Sequence, residues 1–471
     1  MRLGALIGSD DPTTVTGFAI DHRKVAPGTV FGAFAGARFN GEDFIPQAIA
    51  SGAIAIVARP EAKVDGAVHV ADPEPRRAFA QLAARFFKPF PGTVIAVTGT
   101  NGKTSNVELC RQLWRMAGHP SASIGTLGVT TSDEQVTTGL TTPDIVTFLS
   151  NMAGLRKMGI THAAFEASSH GLAQYRTEGL PVHAAAFTNF SRDHLDYHGT
   201  MEAYFEAKMR LIDEVVEPDG IAVVWSDDPK SEEVARRARA RGLKVMTVGT
   251  KGEDLRLVKR ETSPLGQKLT IEAAGKTHVV TLALIGAYQA ANALTAAGLV
   301  IATGGDLAQT LGHLARVHPV RGRLERAVIS RAGAPVYVDY AHTPDAIESA
   351  IDALRPHTKG RLIIVFGAGG DRDTGKRAEM GAVAVKLADM AIVTDDNPRS
   401  EDPALIRRAI MSGAPGATEV GGRREAIRFA VAQAGPDDIV LLAGKGHEQG
   451  QIVGDQVLPF DDVTVAREEA A

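Results

Sequence analysis

Cysteine is almost missing. Cys110 is the one thiol in 471 residues, so no internal disulfide can close and no cysteine-rich metal site can be built. It sits among Leu109, Leu113 and Trp114 in a helical pattern and reads as a buried structural thiol rather than a reactive one. An excess of either charge is missing too. Lys plus Arg number 51 and Asp plus Glu 55, a net charge of -4, which gives no long-range pull toward nucleic acid or an anionic membrane. Local basic pockets for small anions are not excluded. No apolar run approaches the length of a membrane span. The opening stretch MRLGALIGSDDPT has too short an apolar part for a secretion signal, with acidic residues close behind. The expectation is a cytoplasmic enzyme that enters no membrane and binds no nucleic acid.

What is present is ordinary globular composition, 44% apolar and 23% charged, in a chain long enough for roughly two to four domains. Short apolar runs at Thr29–Ala35 and Ala53–Val57 read as strands, and Asp72–Lys88 carries Phe79, Leu82, Ala83, Phe86 and Phe87 at helical spacing. Pro89 and Pro91 stop that helix and mark a boundary. Thr93–Thr98, Ala163–Ala167, Ala184–Thr188 and Ile221–Trp225 are strand candidates with helical patterns among them, which predicts a mostly parallel sheet. Lys251–His278 suits an antiparallel extension, and Gly286–Val300 a packed alanine-rich helix. A second α/β set starts near Arg321, with strands at Val336–Val338, Leu362–Phe366, Ala391–Thr394 and Ile439–Ala443. The expected units are residues 1–88, 89–320 and 321–471.

The strongest local signal is Gly99-Thr100-Asn101-Gly102-Lys103-Thr104, placed between an apolar strand and a helix. Its glycines let backbone N–H groups face phosphate oxygens at a helix N-terminus. Lys103 suits the β- and γ-phosphates, and Thr104 the accompanying Mg²⁺. A general phosphate loop has a further glycine where this chain has Val97. The motif alone says nucleotide hydrolysis or transfer, not which reaction. Glu166, at a strand end, is either a hard-metal ligand or a helix-cap partner.

With other segments in order along nearly the whole chain, this loop resembles the Mur ligases of bacterial peptidoglycan synthesis. Those segments are Asp21–Phe44, Thr141–Pro143, Glu166–Arg176, His194–Lys208, Arg321–Glu325, Asp339–Pro344, Gly369–Arg377, Asp396–Pro403 and Gly444–Glu448. The resemblance implies an α/β architecture of three domains: an N-terminal UDP-sugar domain, a central phosphate-loop ATPase domain and a C-terminal Rossmann-like domain. Within the family it points to the step that joins meso-2,6-diaminopimelate to UDP-N-acetylmuramoyl-L-alanyl-D-glutamate. ATP is the co-substrate, Mg²⁺ the cofactor, and an acyl phosphate the intermediate.

Site residues follow from the same resemblance. Gly99 to Thr104 and His342 would bind ATP, His342 by stacking or packing. Thr104, Glu166, His194 and Lys208 would hold magnesium, Lys208 as N6-carboxylysine. Lys103, His194 and Lys208 would carry the catalysis. Asp21, Arg23, Thr141, Thr142, Ser169, Gln174 and Arg176 would hold the UDP-muramoyl dipeptide; Arg176 can grip a carboxylate with two parallel bonds. Arg372, Asp396, Asn397, Pro398, Arg399, Gly444 and Glu448 would read diaminopimelate, Arg399 matching its extra carboxylate. The family has serine at His22 and a DGH sequence where this chain has Asn40-Gly41-Glu42. Bland alternatives stand beside these readings: a solvent-facing Lys208, Arg399 paired with Glu401 or Asp402, and Arg323 bridging two domains. A general phosphate-loop ATPase, a folate polyglutamylating ligase and a lysine-adding ligase are the rival functions.

Overall fold

The structure, a computed structural model, describes residues 1–36, 39–137, 139–263 and 266–471. The first unit is a four-stranded parallel sheet in sequence order, β1 (Gly17–Ala19), β2 (Thr29–Gly32), β3 (Ala53–Ala58) and β4 (Val68–Ala71). β2 ends at Gly32, short of the expected Ala35, because the Phe34 ring folds back over the place a Cβ would take. The helix that covers this sheet starts at Pro75 rather than Asp72. The Asp72 carboxylate instead accepts the N–H of Glu74 at 2.7 Å, and proline fits the first helical turn, where its missing N–H removes no bond.

The middle sheet has eleven strands. Its parallel centre is β5 (Thr93–Thr98), β6 (Ser121–Gly125), β9 (His162–Glu166), β10 (Val182–Phe187), β11 (Val216–Trp225) and β12 (Lys244–Gly249). Antiparallel additions close one side with β7 (Gly128–Thr130) and β8 (Gln135–Val136). The other side adds β13 (Leu255–Ser263), β14 (Gly266–Ala273) and β15 (Lys276–Leu282), paired antiparallel as the sequence predicts. β5 is a continuous apolar run because both its faces are covered, one by each large core cluster. Its register puts Val97 beside Glu166 of β9 and Thr98 beside Phe187 of β10. The loops after β5, β9 and β10 therefore leave the sheet together.

The last unit is a Rossmann-like sheet of β16 (Glu325–Ile329), β17 (Pro335–Asp339), β18 (Leu362–Phe366), β19 (Met390–Val393), β20 (Thr418–Glu419) and β21 (Ile439–Ala443), in the order β16-β17-β21-β18-β19-β20. Only the edge strand β16 runs antiparallel. A hairpin, β22 (Gly450–Val453) and β23 (Gln456–Pro459), follows it.

One fully buried ion pair fixes the strand ends here. Arg423 holds Asp462 through two bonds, 2.7 and 2.5 Å, and also donates to the carbonyls of Asp395 and Ala443. Those carbonyls close the loop after β19 and the end of β21. Asp462→Ala leaves a buried guanidinium without its counter-charge, and the third unit should lose about 3–5 kcal/mol. Denaturation followed by a probe placed in residues 321–471 measures it; a loss under about 1 kcal/mol would show the pair to be dispensable.

Candidate active site

The loop after β5 is shaped by two glycines in the left-handed region. Gly99 has φ 144° and Gly102 φ 84°. A Cβ at Gly99 would strike the Thr188 hydroxyl, and one at Gly102 the Asn292 amide oxygen. Asn189 clamps the loop from β10, its carbonyl accepting Thr100 N–H at 2.9 Å and its side chain accepting Asn101 N–H at 2.8 Å. Gly102 precedes the helix Lys103–Met116, so the free N–H groups of its first turn and the positive helix end act together. Beside them a cavity of about 420 Å³ is lined by Asn101, Gly102, Trp225, Tyr288, Asn292 and Tyr340, from both the middle and last units.

Lys103 Nζ turns back to the carbonyls of Gly99 and Thr100, 3.0 and 2.7 Å away. Burial depresses its pKa, opposed by the charges of Glu166 and Asp193. Lys208 is not on a helix surface. It is 1% exposed, donates to the same Gly99 carbonyl at 2.6 Å and lies 4.3 Å from the Tyr204 ring centre. Burial first, then the Lys103 charge, holds its amine well below the usual lysine range. Thr104 offers its hydroxyl oxygen to Arg323 Nη2 at 2.8 Å. Glu166 accepts Thr126 N–H at 2.7 Å, and Gly125 has no Cβ because that carboxylate fills the space.

His194 begins a short helix at φ 55°. Burial pushes its imidazole down to about 3, against the pull of Asp193, so the ring is neutral at neutral pH. Asp193 is buried within 3.5 Å of His194 Nε2 and 3.6 Å of both His342 Nε2 and Lys376 Nζ. Burial would raise its pKa, but His342, His194 and Lys376 outweigh that and keep it well below the carboxylate range. His342, expected against the nucleotide, therefore faces Asp193; Tyr340 and Ala341 line the cavity on that side. Glu166, His194, Thr104 and Lys208 are gathered around the phosphate loop, yet among the described residues no three His, Cys, Asp or Glu side chains are grouped closely enough to hold an ion.

The residues expected to hold the acceptor divide into two places. Thr142 donates to the Glu166 carbonyl at 2.8 Å, and its own carbonyl accepts Arg176 Nη1 at 2.9 Å. Thr141 meets Thr126 at 3.1 Å, and Gln174 links Tyr197 to Arg176. Ser169 is buried, with no partner for its hydroxyl among the described residues. Asp21 and Arg23, in the first unit, spend their charge on each other at 2.7 Å, which takes Asp21 to about 2. His22 stacks on Phe44 at 4.4 Å, and Glu42 pairs with Arg59.

The loops after β18, β19 and β21 form the remaining part. Asp396 caps Asn397 N–H at 2.6 Å, and a Cβ at Gly444 would press on Asp396 at 2.7 Å. Asn397 Nδ2 reaches Glu448 at 2.8 Å. Pro398 is buried between Asn397 and Arg399, and Arg372 is exposed. Arg399 does not pair with Glu401, which holds Arg377, nor with Asp402, which caps a helix. Among the described residues its Nη1 bonds to carbonyls alone, Gly370 at 2.8 Å and Asn397 at 3.5 Å.

Two cations escaped the sequence reading. Arg76 donates to the Ala35 carbonyl at 2.7 Å and lies 5.0 Å from the Phe34 ring centre. Like Arg176, whose charge it feels, it has no carboxylate within 4.0 Å among the described residues. In sequence it is one of two adjacent arginines on a helix, indistinguishable from a solvated one. Lys376 lay inside a matched segment, but its contact with Asp193 is long-range and left no local mark.

Three family models match: the Mur ligase family catalytic domain at 14–87, the Mur ligase middle domain at 97–300, and the Mur ligase glutamate ligase domain at 322–446. The chain is 61% identical over 458 residues to the UDP-N-acetylmuramoyl-L-alanyl-D-glutamate–2,6-diaminopimelate ligase of Zymomonas mobilis, covering 96% of this chain and 94% of that one. It is 50% identical over 473 residues to the protein of the same name from Bradyrhizobium diazoefficiens, with 98% and 97% covered. A solved structure of a ligase with that name superposes with a TM-score of 0.73 at 32% identity, over 100% of this chain and 98% of the other.

Gly102→Ala forces a Cβ against Asn292 at φ 84°. The strain of roughly 1–3 kcal/mol should weaken ATP-analogue binding about tenfold or more, as measured by calorimetric titration. Unchanged affinity would remove this loop from the nucleotide site.

Proposed function

The chain belongs to the Mur ligase family, and from that premise we propose that it joins meso-2,6-diaminopimelate to UDP-N-acetylmuramoyl-L-alanyl-D-glutamate, converting ATP to ADP and phosphate. The observation that carries the choice of amino acid is Arg399. Its guanidinium sits at a strand-end loop and, among the described residues, bonds to carbonyls and forms no ion pair within 4.0 Å, though Asp371 feels its charge; it suits the carboxylate that diaminopimelate has and lysine lacks. In this reading residues 1–88 take the UDP end of the acceptor, 89–320 the phosphate chemistry, and 321–471 the amino acid. The work belongs in the cytoplasm, where ATP is available.

The acceptor carboxylate attacks the γ-phosphorus, forming an acyl phosphate and releasing ADP. The carboxylate oxygen, otherwise a poor leaving group, now leaves as phosphate. The amine of diaminopimelate attacks the acyl carbon, a tetrahedral intermediate forms and loses a proton, and its collapse expels phosphate and gives the amide. Gly99, Thr100 and Asn101 shape the loop, the N–H groups of Gly102, Lys103 and Thr104 at the helix start face the phosphates, and the Lys103 ammonium stands against the transferring group. The strand-end cleft holds three substrates in line and limits water. Arg176 and Thr142 orient the acceptor, with Ser169, Thr141 and Gln174 beside them. Asp21 and Arg23 belong to its UDP end. Tyr340 and His342 bracket the nucleotide side of the cleft. Arg372, Asp396, Asn397, Pro398, Gly444 and Glu448 complete the amino-acid loops around Arg399.

The oxygen donors Thr104 and Glu166 suit magnesium, and neutral His194 presents a lone pair. Lys208 completes the set only as its carbamate: a buried amine kept neutral can add to CO₂ and become an anionic oxygen ligand. These four residues would hold Mg²⁺, which when bound disperses charge on the phosphoryl oxygens.

Arg399→Ala should lower kcat/KM for diaminopimelate by about 2–5 kcal/mol in transition-state terms and reduce its preference over L-lysine. Amide-formation kinetics with both amino acids decide it: a parent that prefers lysine, or a variant with unchanged preference, defeats the reading. Arg76→Ala should raise KM for the UDP-linked acceptor about tenfold while leaving the ATP KM within about twofold. Equal effects on both would mean that Arg76 only braces the fold.

A further inference from the structure

Lys445 is 0% exposed, and all three of its ammonium protons are used. They go to Asn397 Oδ1 at 3.1 Å, Glu448 Oε2 at 3.0 Å and the Gly450 carbonyl at 2.7 Å. No proton is left for a substrate, so Lys445 acts through its neighbours. We propose that Lys445 is the positioning residue for amino-acid selection: it fixes which way the Asn397 amide points and which Glu448 oxygen stays free, and so presents one oriented receptor for the charged far end of diaminopimelate. The inference rests on the amino-acid-binding role proposed above for this loop.

Two donors converge on Asn397 Oδ1, Lys445 and the Ile452 N–H at 3.0 Å. With its oxygen so held, the amide must turn Nδ2 outward, and Nδ2 then donates to Glu448 Oε2 at 2.8 Å. That oxygen is thus occupied twice, while Oε1 has no partner among the described residues. One carboxylate oxygen is spent inside and one is left for a ligand cation. The ammonium of Lys445, 3.0 Å from Glu448 Oε2, also sets a positive charge against that carboxylate.

The same lysine joins three segments. Its bond to Gly450 ties it to the β22–β23 hairpin, which accepts Arg399 N–H at the Ile452 carbonyl (3.0 Å) and donates Gly454 N–H to the Arg399 carbonyl (2.8 Å). Gln451 adds a bond to the Asp396 carbonyl at 2.6 Å. The far end of diaminopimelate carries a carboxylate and an ammonium on one carbon. Arg399 and Glu448 Oε1, locked to each other through Asn397, Lys445 and the hairpin, match that pair in charge. Lysine offers only the ammonium.

The test is steady-state kinetics of the full chain with ATP, UDP-muramoyl dipeptide and diaminopimelate, comparing the parent with Lys445→Met and Lys445→Gln. Methionine fills the volume without donors; glutamine keeps two N–H donors without the charge. For K445M the KM for diaminopimelate should rise about tenfold or more, with kcat within about threefold and the other two KM values within about twofold. K445Q should lie between K445M and the parent. If K445M does not fold, K445Q carries the test, with a rise of about threefold confined to diaminopimelate as the expected result. A diaminopimelate KM within about twofold of the parent in the folded variants, or a comparable rise in all three KM values, overturns the inference. Failure of the proposed function is seen separately, in the parent: if it uses another amino acid, the same comparison is made with that one.

Discussion

Two lysine amines donate to one carbonyl oxygen, that of Gly99. Lys103 opens the helix after the loop and is half-buried, Lys208 comes from a separate helix and is buried, and the Lys103 charge disfavours a charge on Lys208. Two ammonium groups cannot share so small an apolar volume without anions to balance them. The fold resolves this by letting Lys208 titrate low, while Glu166 and Asp193 support the charge on Lys103. A lysine held neutral is a nucleophile, and an ammonium kept charged beside free helix-end amides suits phosphate. Both properties follow from where β5 ends. The strand must be apolar to sit between two cores, and its loop must then turn at glycine to clear Thr188 and Asn292.

The units meet through the groups that would grip the substrates. Arg323 crosses from the last unit to the Thr104 hydroxyl, and Lys376 and His342 cross to Asp193. Arg192 reaches back to Asp373 and Glu379 at 3.4 and 3.6 Å. Such contacts are worth little on an open surface and more where buried. The Thr104 hydroxyl that accepts Arg323 is also the oxygen that the proposed magnesium would use, so a bound nucleotide would have to share or replace that contact. Contact between the units and the proposed nucleotide binding would then draw on the same groups and be thermodynamically linked.

Local signals were legible in the sequence. β5, β18 and β21 have the expected limits, because an apolar run bounded by glycine or polar residues carries its own ends. The left-handed glycines of the phosphate loop are as local. Strands β1, β7, β8 and β20 left no signal; each has three residues or fewer, too few to show a period. The candidate site was legible as a set of segments but not as a set of contacts. Whether Arg399 pairs with Glu401 depends on Arg377 having taken Glu401 first. That Asp193 gathers His342 and Lys376 depends on how two separately folded sheets dock. Neither is written in neighbouring residues.

Backbone strain points to the same places independently of any side-chain role. Six non-glycine residues among those described adopt positive φ: Tyr175, His194, Ala274, Leu324, Asp371 and Arg399. Ala274 is accounted for by its turn, where Ala274-Gly275 joins β14 to β15 and the hairpin twist favours left-handed residues. The other five have no hairpin to explain them. Tyr175 lies between Gln174 and Arg176, Leu324 follows Arg323, and Asp371 precedes Arg372. His194 and Arg399 are themselves candidate site residues. Each such residue stores energy that a relaxed loop would release, of order 1–3 kcal/mol for a non-glycine side chain. It persists only where surrounding bonds over-determine the backbone. At Arg399 those bonds are visible: its N–H and C=O are both engaged by the β22–β23 hairpin, to Ile452 and Gly454. A left-handed residue reverses the direction in which its side chain leaves the loop. By these bonds the hairpin holds φ at 54° and fixes the backbone from which the guanidinium reaches the Gly370 carbonyl.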